Sequence, residues 1–133
     1  MGATLRYAKV IDADRFTAQG SQLRPGLDSE VRLSGEPPAV ARPFLIVRSW
    51  EREDGFTETW RIADPHGRTL REGLARTVMD SDDDIADEVR DLEFEYADTG
   101  YQLILEVDGR EVARVDFPVL EPSPAEQGHM TET

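Results

Sequence analysis

The densest group of potential ligands in this sequence is an acidic run between positions 80 and 88, made of Asp80, Asp82, Asp83, Asp84, Asp87 and Glu88. Calcium binds about six to eight oxygen atoms, and loops of a β-sandwich can supply them. Asp80, Asp82 and Asp84 have the 1-3-5 spacing of an EF-hand loop. That loop requires glycine at its sixth position and glutamate at its twelfth, where this chain has Ile85 and Asp91. The EF-hand interpretation therefore fails.

A calcium site of another kind would need further carboxylates from a second loop, such as Asp12 with Asp14, or Asp54. Without them the acidic run is a solvated connection, whose mutually repelling carboxylates are relieved by water. The sequence favours this solvated connection. Calcium-dependent binding through residues 80–88 stays open as the alternative function.

Catalytic chemistry has little support in the remaining residues. The chain contains no cysteine, which excludes a thiolate nucleophile, a disulfide and a Cys-ligated metal site. His66 falls in a tight turn and His129 near the C-terminal end, so a zinc site would need carboxylates that the sequence does not assemble. No serine occupies a nucleophile elbow, and no glycine-rich phosphate loop is present. We expect no catalytic, cofactor-binding or metal-binding residues, with a small enzyme based on an unrecognised carboxylate site as a second alternative.

Composition points away from nucleic acids and membranes. The 133 residues carry a net charge of −13, so the chain lacks the basic face that binds nucleic acid or anionic lipid. No apolar run approaches the roughly 20 residues that span a bilayer, and the first residues lack the apolar region of a signal peptide. A cytoplasmic location is expected. Fourteen of the fifteen basic residues are arginine and asparagine is absent, which indicates a GC-rich bacterial genome.

The elements that must position any site begin with a predicted β-hairpin, Tyr101–Val107 followed by Arg110–Phe117, around the turn residues Asp108 and Gly109. A two-residue loop would place Leu103 opposite Arg114 and mix the apolar and polar faces, because side chains alternate sides along a strand. A three-residue loop, Val107–Gly109, sorts the faces by setting Leu103 opposite Ala113, Tyr101 opposite Val115 and Glu106 opposite Arg110. The sequence therefore predicts the three-residue loop.

A second predicted hairpin joins Phe44–Arg52 to Phe56–Ala63 through a loop that ends at Gly55. A three-residue loop collects the large apolar residues on one buried face: Phe44, Ile46, Trp50, Trp60 and Ile62. Arg48 must then lie over an indole or reach the sheet edge. A platform of exposed tryptophans for a partner or a sugar is the alternative, but the shared apolar face favours a core position for both.

Weaker signals predict the remaining elements. Strands are expected at Leu5–Ile11 (where a helix is also compatible), Val31–Leu33, Leu92–Tyr96 and, interrupted by Gly73, Thr69–Val78. Turns are expected at 12–20 and at Asp64–Gly67, which fits a type I turn. A short helical crossover capped by Ser81 would place Ile85, Val89 and Leu92 on one face. Residues 121–133, rich in proline and charge, are predicted to be a disordered tail after a single domain spanning 1–120.

The pattern indicates two packed antiparallel sheets, and Asp98–Tyr101 before an inner strand resembles the tyrosine corner of immunoglobulin-like domains. Four motifs between residues 3 and 120 resemble small bacterial β-sandwich proteins of unknown function: an early turn rich in Ala and Gly, Pro43–Val47, the Asp-Pro-x-Gly turn at 64–67, and Gly-Tyr-x-Leu-x-Leu-x-Val-Asp-Gly at 100–109. The resemblance implies an immunoglobulin-like β-sandwich and no particular activity.

A good fold without an assembled site leaves surface recognition as the expected role. We therefore expect a non-catalytic protein-interaction or structural module of a bacterial or bacteriophage assembly, with a protein partner that the sequence does not identify. Pairing of two copies through an exposed edge strand stays open.

Overall fold

The computed structural model describes residues 3–18, 28–52, 55–78 and 85–122. These residues form eleven β-strands and one six-residue α-helix, so the predicted all-β class is confirmed. The elements in chain order are β1 (Ala3–Asp12), α1 (Ala13–Ala18), β2 (Val31–Arg32), β3 (Ala39–Val40), β4 (Phe44–Arg52), β5 (Phe56–Ala63), β6 (Thr69–Glu72), β7 (Arg76–Val78), β8 (Ile85–Val89), β9 (Glu93–Phe94), β10 (Asp98–Val107) and β11 (Arg110–Leu120).

The strands form two main sheets that share one hydrophobic core. The first sheet has the order β1-β4-β8, and the second has the order β2-β11-β10-β5-β6, with β7 also paired to β5. The short strands β3 and β9 form a separate pair. Among the strands named above, every pairing is antiparallel except that of β2 with β11. Buried apolar side chains of both sheets belong to one cluster, which is the core of the described chain.

The β10–β11 hairpin has a two-residue turn, so the predicted three-residue loop is wrong. Val107 lies opposite Arg110, and Asp108 and Gly109 both have positive φ values, 51° and 84°. Such a pair of values is that of a type I′ turn, whose twist suits a hairpin. Between Leu105 and Glu106 the register shifts, because Leu105 lies opposite Ala113 but Glu106 lies opposite Glu111, so β11 contains one extra residue, Val112. The apolar faces therefore still match, with Leu103 opposite Val115, Leu105 opposite Ala113 and Tyr101 opposite Phe117.

The predicted β4–β5 hairpin is also wrong. β4 pairs with β1 and β8, whereas β5 pairs with β10, β6 and β7. The apolar residues predicted to share one face therefore lie on two facing sheets. They are still buried together, because the inward residues of both strands project into the same core. Trp50 and Trp60 are 3% and 5% exposed and both belong to this core, so their predicted burial is confirmed.

Helix occurs where turns were predicted, and a strand occurs where a helix was predicted. Within the segment 12–20 the chain forms α1. Ile85–Val89 is strand β8, so the predicted helical face of Ile85, Val89 and Leu92 is wrong. In β8, the alternate residues Ile85, Asp87 and Val89 are less exposed than the residues between them, because pairing with β4 imposes a period of two. Ser81, the predicted cap, lies outside the described residues.

Three smaller predictions are confirmed. β1 is a strand, the break at Gly73 separates β6 from β7, and the Asp64–Gly67 turn closes through a 2.9 Å hydrogen bond from the Gly67 amide to the Asp64 carbonyl. The predicted disordered tail lies outside the described residues beyond Pro122. The described chain contains no helix with the length and apolar composition that crossing a membrane requires.

Candidate functional site

A chain of alternating charges runs from the core to the surface between the two main sheets. The Glu58 and Arg48 side chains are completely buried, Asp87 is 24% exposed and Arg76 is 47% exposed. Arg48 donates to both Glu58 oxygens, Nε at 2.7 Å and Nη2 at 2.5 Å, and its Nη2 also donates to Asp87 Oδ2 at 3.0 Å. Arg76 Nη2 donates to Asp87 Oδ1 at 2.6 Å. We call these four residues the inter-sheet charge network.

Both tryptophans donate hydrogen bonds to this network. Trp50 Nε1 lies 2.6 Å from Glu58 Oε2, and Trp60 Nε1 lies 2.9 Å from Asp87 Oδ2. A buried indole N–H needs an acceptor, and each carboxylate provides one. Trp50 on β4 bonds to Glu58 on β5, and Trp60 on β5 bonds to Asp87 on β8. The two indoles therefore connect the first and second sheets in both directions.

Strand alternation explains how these residues meet. Arg48 and Trp50 are two residues apart on β4, and Glu58 and Trp60 are two residues apart on β5, so both pairs face the interior. Asp87 lies directly opposite Ile46 in the β4–β8 ladder, on the same inward face as Arg48. The ladders thus place one guanidinium between two carboxylates, where all its charge is compensated.

The charges in the network stabilise one another. Burial alone would lower the pKa of the Arg48 guanidinium, but the hydrogen bonds and negative charges of Glu58 and Asp87 outweigh burial and raise it. Burial alone would raise the pKa of the Asp87 carboxyl, but the Trp60 indole and the guanidinium groups of Arg48 and Arg76 hold it below its usual value. Arg48 and Asp87 are therefore charged at neutral pH, and the hydrogen bonds of the network cross-link the two sheets.

An open cleft of about 420 Å³ adjoins the outer end of the network. It is lined by Trp60, Leu74, Ala75, Arg76, Asp87 and Glu88. Two of its sides come from β8 of the first sheet and from β7 with the β6–β7 connection of the second sheet. Leu74, in that connection, is 93% exposed. The cleft therefore presents an apolar side chain and an indole next to charged groups, and we call it the β7–β8 cleft.

The acidic run does not form the site that its composition suggested. Asp87 belongs to the inter-sheet charge network, and Glu88 pairs with Arg90 at 3.0 Å. The other aspartates of the run, Asp80 and Asp82 to Asp84, lie outside the described residues, as does Asp54. In the described ranges, no group of three or more His, Asp or Glu side chains is arranged to hold a metal ion.

The other candidate residues are engaged elsewhere or solvent-exposed. Asp12 and Asp14 both face Arg42, with oxygen-to-nitrogen distances of 3.6 Å and 2.6 Å. His66 lies exposed in its turn, and His129 is outside the described residues. None of these residues lines the β7–β8 cleft.

Sequence reasoning missed the pairing of Arg48 with Glu58. Arg48 was expected over an indole or at the sheet edge, and that expectation is wrong, because the side chain is fully buried against a carboxylate of the opposite sheet. The available signal was one cation and one anion at the inward positions of two otherwise apolar strand faces. It was missed because the two strands were assigned to one hairpin rather than to facing sheets.

The comparisons with known proteins leave the fold as the main guide to function. No protein-family model matches the chain, and no curated protein matches it either. The resemblance to small bacterial β-sandwich proteins is thus supported only at the level of a fold rich in antiparallel sheet.

Proposed function

We propose that this chain is a non-catalytic protein-interaction module, acting in a bacterial or bacteriophage assembly, and that the β7–β8 cleft is its binding site. The observation that carries the proposal is the contrast between the buried charge network and the cleft beside it. The buried charges compensate one another, whereas the adjoining cleft presents Leu74 and a charged rim to solvent.

The hydrogen bonds of the carboxylates support a role without catalysis. A general acid or base must be able to exchange a proton with a bound substrate. Asp87 accepts from Arg48, Arg76 and Trp60. Glu58 accepts from Arg48 and Trp50 and has no exposed surface. These engaged carboxylates are suited to holding the sheets together rather than to transferring protons.

We further propose that the two sheets form an immunoglobulin-like sandwich. The supporting contact is a 2.7 Å hydrogen bond from the Tyr101 hydroxyl to the Tyr96 carbonyl, five residues upstream. A tyrosine corner makes this kind of bond at the start of an inner strand. Burial, together with the neighbouring Tyr96, raises the pKa of Tyr101 to about 12, so its hydroxyl keeps its proton and donates.

Affinity capture from cells of the source organism tests the proposal, with Leu74→Arg as the test variant and Val112→Arg as its control. Val112 is also exposed, at 47%, but lies on β11, away from the cleft. We expect a protein that is retained by the wild type and by Val112→Arg and lost with Leu74→Arg. The purified partner should then bind with the same dependence in calorimetry. The proposal would be contradicted if the wild type retained no protein, or if Leu74→Arg and Val112→Arg retained the same protein equally.

A further inference from the structure

We propose that the partner binds by strand addition: an extended segment, in which basic and apolar side chains alternate, pairs with the free edge of β8 and fills the β7–β8 cleft. This inference rests on the proposed function of the cleft and specifies its mode and its partner chemistry. Strand addition derives affinity from main-chain hydrogen bonds and specificity from alternate side chains.

Among the described residues, the edge of β8 away from β4 is unpaired. β8 pairs with β4 on one side, and no other strand of the described chain pairs with it. The direction of the β8 backbone groups can be worked out from β1, the strand on the other side of β4. The Val10 amide donates to the Ser29 hydroxyl and the Val10 carbonyl accepts from the Glu30 amide, so both groups point away from β4.

The alternation of an antiparallel ladder then carries this direction across the first sheet. Because Val10 lies opposite Ile46, the Ile46 backbone groups point towards β8 and pair with Asp87. The neighbouring residues Ala86 and Glu88 therefore direct their N–H and C=O groups outwards. These outward groups can pair with an added strand without disturbing the β4–β8 ladder.

The residues around the β8 edge suit a partner strand in which apolar and basic side chains alternate. Asp87 faces inward and lines the cleft with Trp60 and Leu74. The side chains of Ala86 and Glu88 point to the opposite face of β8 and are exposed, and Glu88 also borders the cleft. An added strand would place one set of side chains against Trp60 and Leu74 and the other set beside Glu88. Apolar residues suit the first position. Basic residues suit the second, where they would share the partly exposed Glu88 carboxylate with Arg90, which lies 3.0 Å from it.

Charge distinguishes a basic partner from a second copy of this chain. Antiparallel pairing of β8 with itself would bring Asp87 and Glu88 of two copies close together, and like charges across a strand pair are destabilising. The net charge of −13 adds long-range repulsion between copies and attraction for a basic segment. Asp87 is already paired with Arg48 and Arg76, so apolar side chains of a partner can lie against it without leaving its charge unpaired.

The test uses a ten-residue peptide alternating lysine and valine, with a peptide alternating glutamate and valine as its control. We expect the wild type to bind the lysine peptide in calorimetry and not the glutamate peptide. Ala86→Pro removes an outward N–H group, and Ala86→Thr retains it at the same position. Binding should weaken about tenfold in Ala86→Pro, as expected for loss of main-chain pairing, and change little in Ala86→Thr.

Charge and amide protection supply two further readouts. Glu88→Lys should weaken binding of the lysine peptide. Glu51→Lys is the control and should not weaken it, because Glu51 is exposed and lies on β4 beyond the residues that pair with β8. Peptide binding should slow hydrogen exchange at the Ala86 and Glu88 amides. A lysine peptide methylated at alternate backbone nitrogens tests the same hydrogen bonds in the unaltered protein, and methylation on the pairing edge should abolish binding.

Several outcomes would overturn the inference: equal binding of the two peptides, equal binding to Ala86→Pro and Ala86→Thr, or self-association of the chain that Ala86→Pro abolishes. The proposed function is judged separately by Leu74. If capture depends on Leu74 while the Ala86 variants behave alike, the interaction role stands and strand addition is wrong. If capture does not depend on Leu74, the proposed function itself fails.

Discussion

Arg48 shows what a single buried charge demands of its surroundings. Its guanidinium has no exposed surface and donates four hydrogen bonds: two to Glu58, one to Asp87 and one to the Ile46 carbonyl. The indoles of Trp50 and Trp60 donate to the same two carboxylates. A buried ion pair adds little net stability compared with apolar residues of similar size, but an unpaired buried charge is costly. The importance of Arg48 therefore depends on its partners remaining in place, which makes coupled substitutions informative.

The first prediction concerns the coupling between Arg48 and Glu58. Arg48→Met leaves the buried Glu58 carboxylate without its counter-ion and should lower the free energy of unfolding by about 3–5 kcal/mol. The double variant Arg48→Met/Glu58→Gln should be less destabilised than the sum of the two single variants, since the amide still accepts from Trp50. Urea denaturation measures all three. Additive effects would show that the two side chains do not interact.

The second prediction concerns acid stability. A carboxyl whose pKa is lowered in the folded state contributes stability that is complete above the ordinary aspartate pKa of about 3.9 and is lost as the pH falls towards the folded value. Asp87 is such a group, because its hydrogen bonds and counter-ions outweigh burial. The melting midpoint of the wild type should therefore fall more steeply below about pH 4 than that of Asp87→Asn. Asp64, whose pKa is also lowered, contributes equally to both curves. Parallel curves would contradict the prediction.

At the scale of elements, the sequence determines which residues face the core better than it determines which strands pair. Alternation along β4 and β5 identified the buried face that includes Trp50 and Trp60, because period-two patterning is local. The same residues did not reveal that β4 pairs with β1 and β8, since a strand pattern is compatible with any neighbour. In the β10–β11 hairpin, a bulge at Val112 on β11 compensates for a two-residue turn, and no residue type marks that bulge. The inter-sheet charge network was missed for the same reason, because it depends on sheet pairing.

The third prediction concerns the break between β6 and β7. A Cβ atom at Gly73 would lie 2.3 Å from the Trp60 indole, which is too close for any side chain. Gly73→Ala should therefore displace the indole from Asp87 and destabilise the fold by about 1–3 kcal/mol. Gly35→Ala is the control, since nothing lies within 4 Å of a Cβ atom there. Thermal melts and tryptophan emission, which should shift only in Gly73→Ala, measure the effect.

At the scale of the whole molecule, the acidic residues have two different roles. Those that the structure describes between the sheets are compensated by arginine, whereas the total composition leaves a net charge of −13. The excess charge favours solubility and separation of copies, and it favours basic partners. The compensated charges between the sheets and the excess negative charge of the chain are what the proposed binding of a basic segment requires.

The fourth prediction is that millimolar calcium leaves the melting midpoint unchanged. Both Asp87 oxygens already accept hydrogen bonds, and Glu88 is paired with Arg90, so neither is a ready ligand. A site occupied at a hundredfold excess of calcium over its Kd would stabilise the fold by about 2.7 kcal/mol. Magnesium at equal concentration controls for ionic strength. Saturable, stoichiometric heat on calcium titration would support the calcium-dependent alternative instead.

The fifth prediction concerns the C-terminal residues. Truncation after Pro122 retains the 2.8 Å hydrogen bond from Arg32 to the Glu121 carbonyl, which is the contact the structure describes at the end of β11. The removed residues contain proline, glycine and charge but few apolar side chains, so they have little surface to bury. The melting midpoint should stay within about a degree of the full-length value. A drop of several degrees would show that these residues dock on the domain.

The parallel pairing of β2 with β11 sets an order of events for folding. Val31 lies beside Val119, so this contact closes a loop that spans most of the chain, whereas the β10–β11 turn brings together residues that are adjacent in sequence. Closing a long loop costs more chain entropy than closing a short one, and contacts between distant residues slow folding. We therefore expect the C-terminal hairpin to form early, and β2 to pair with β11 late in folding.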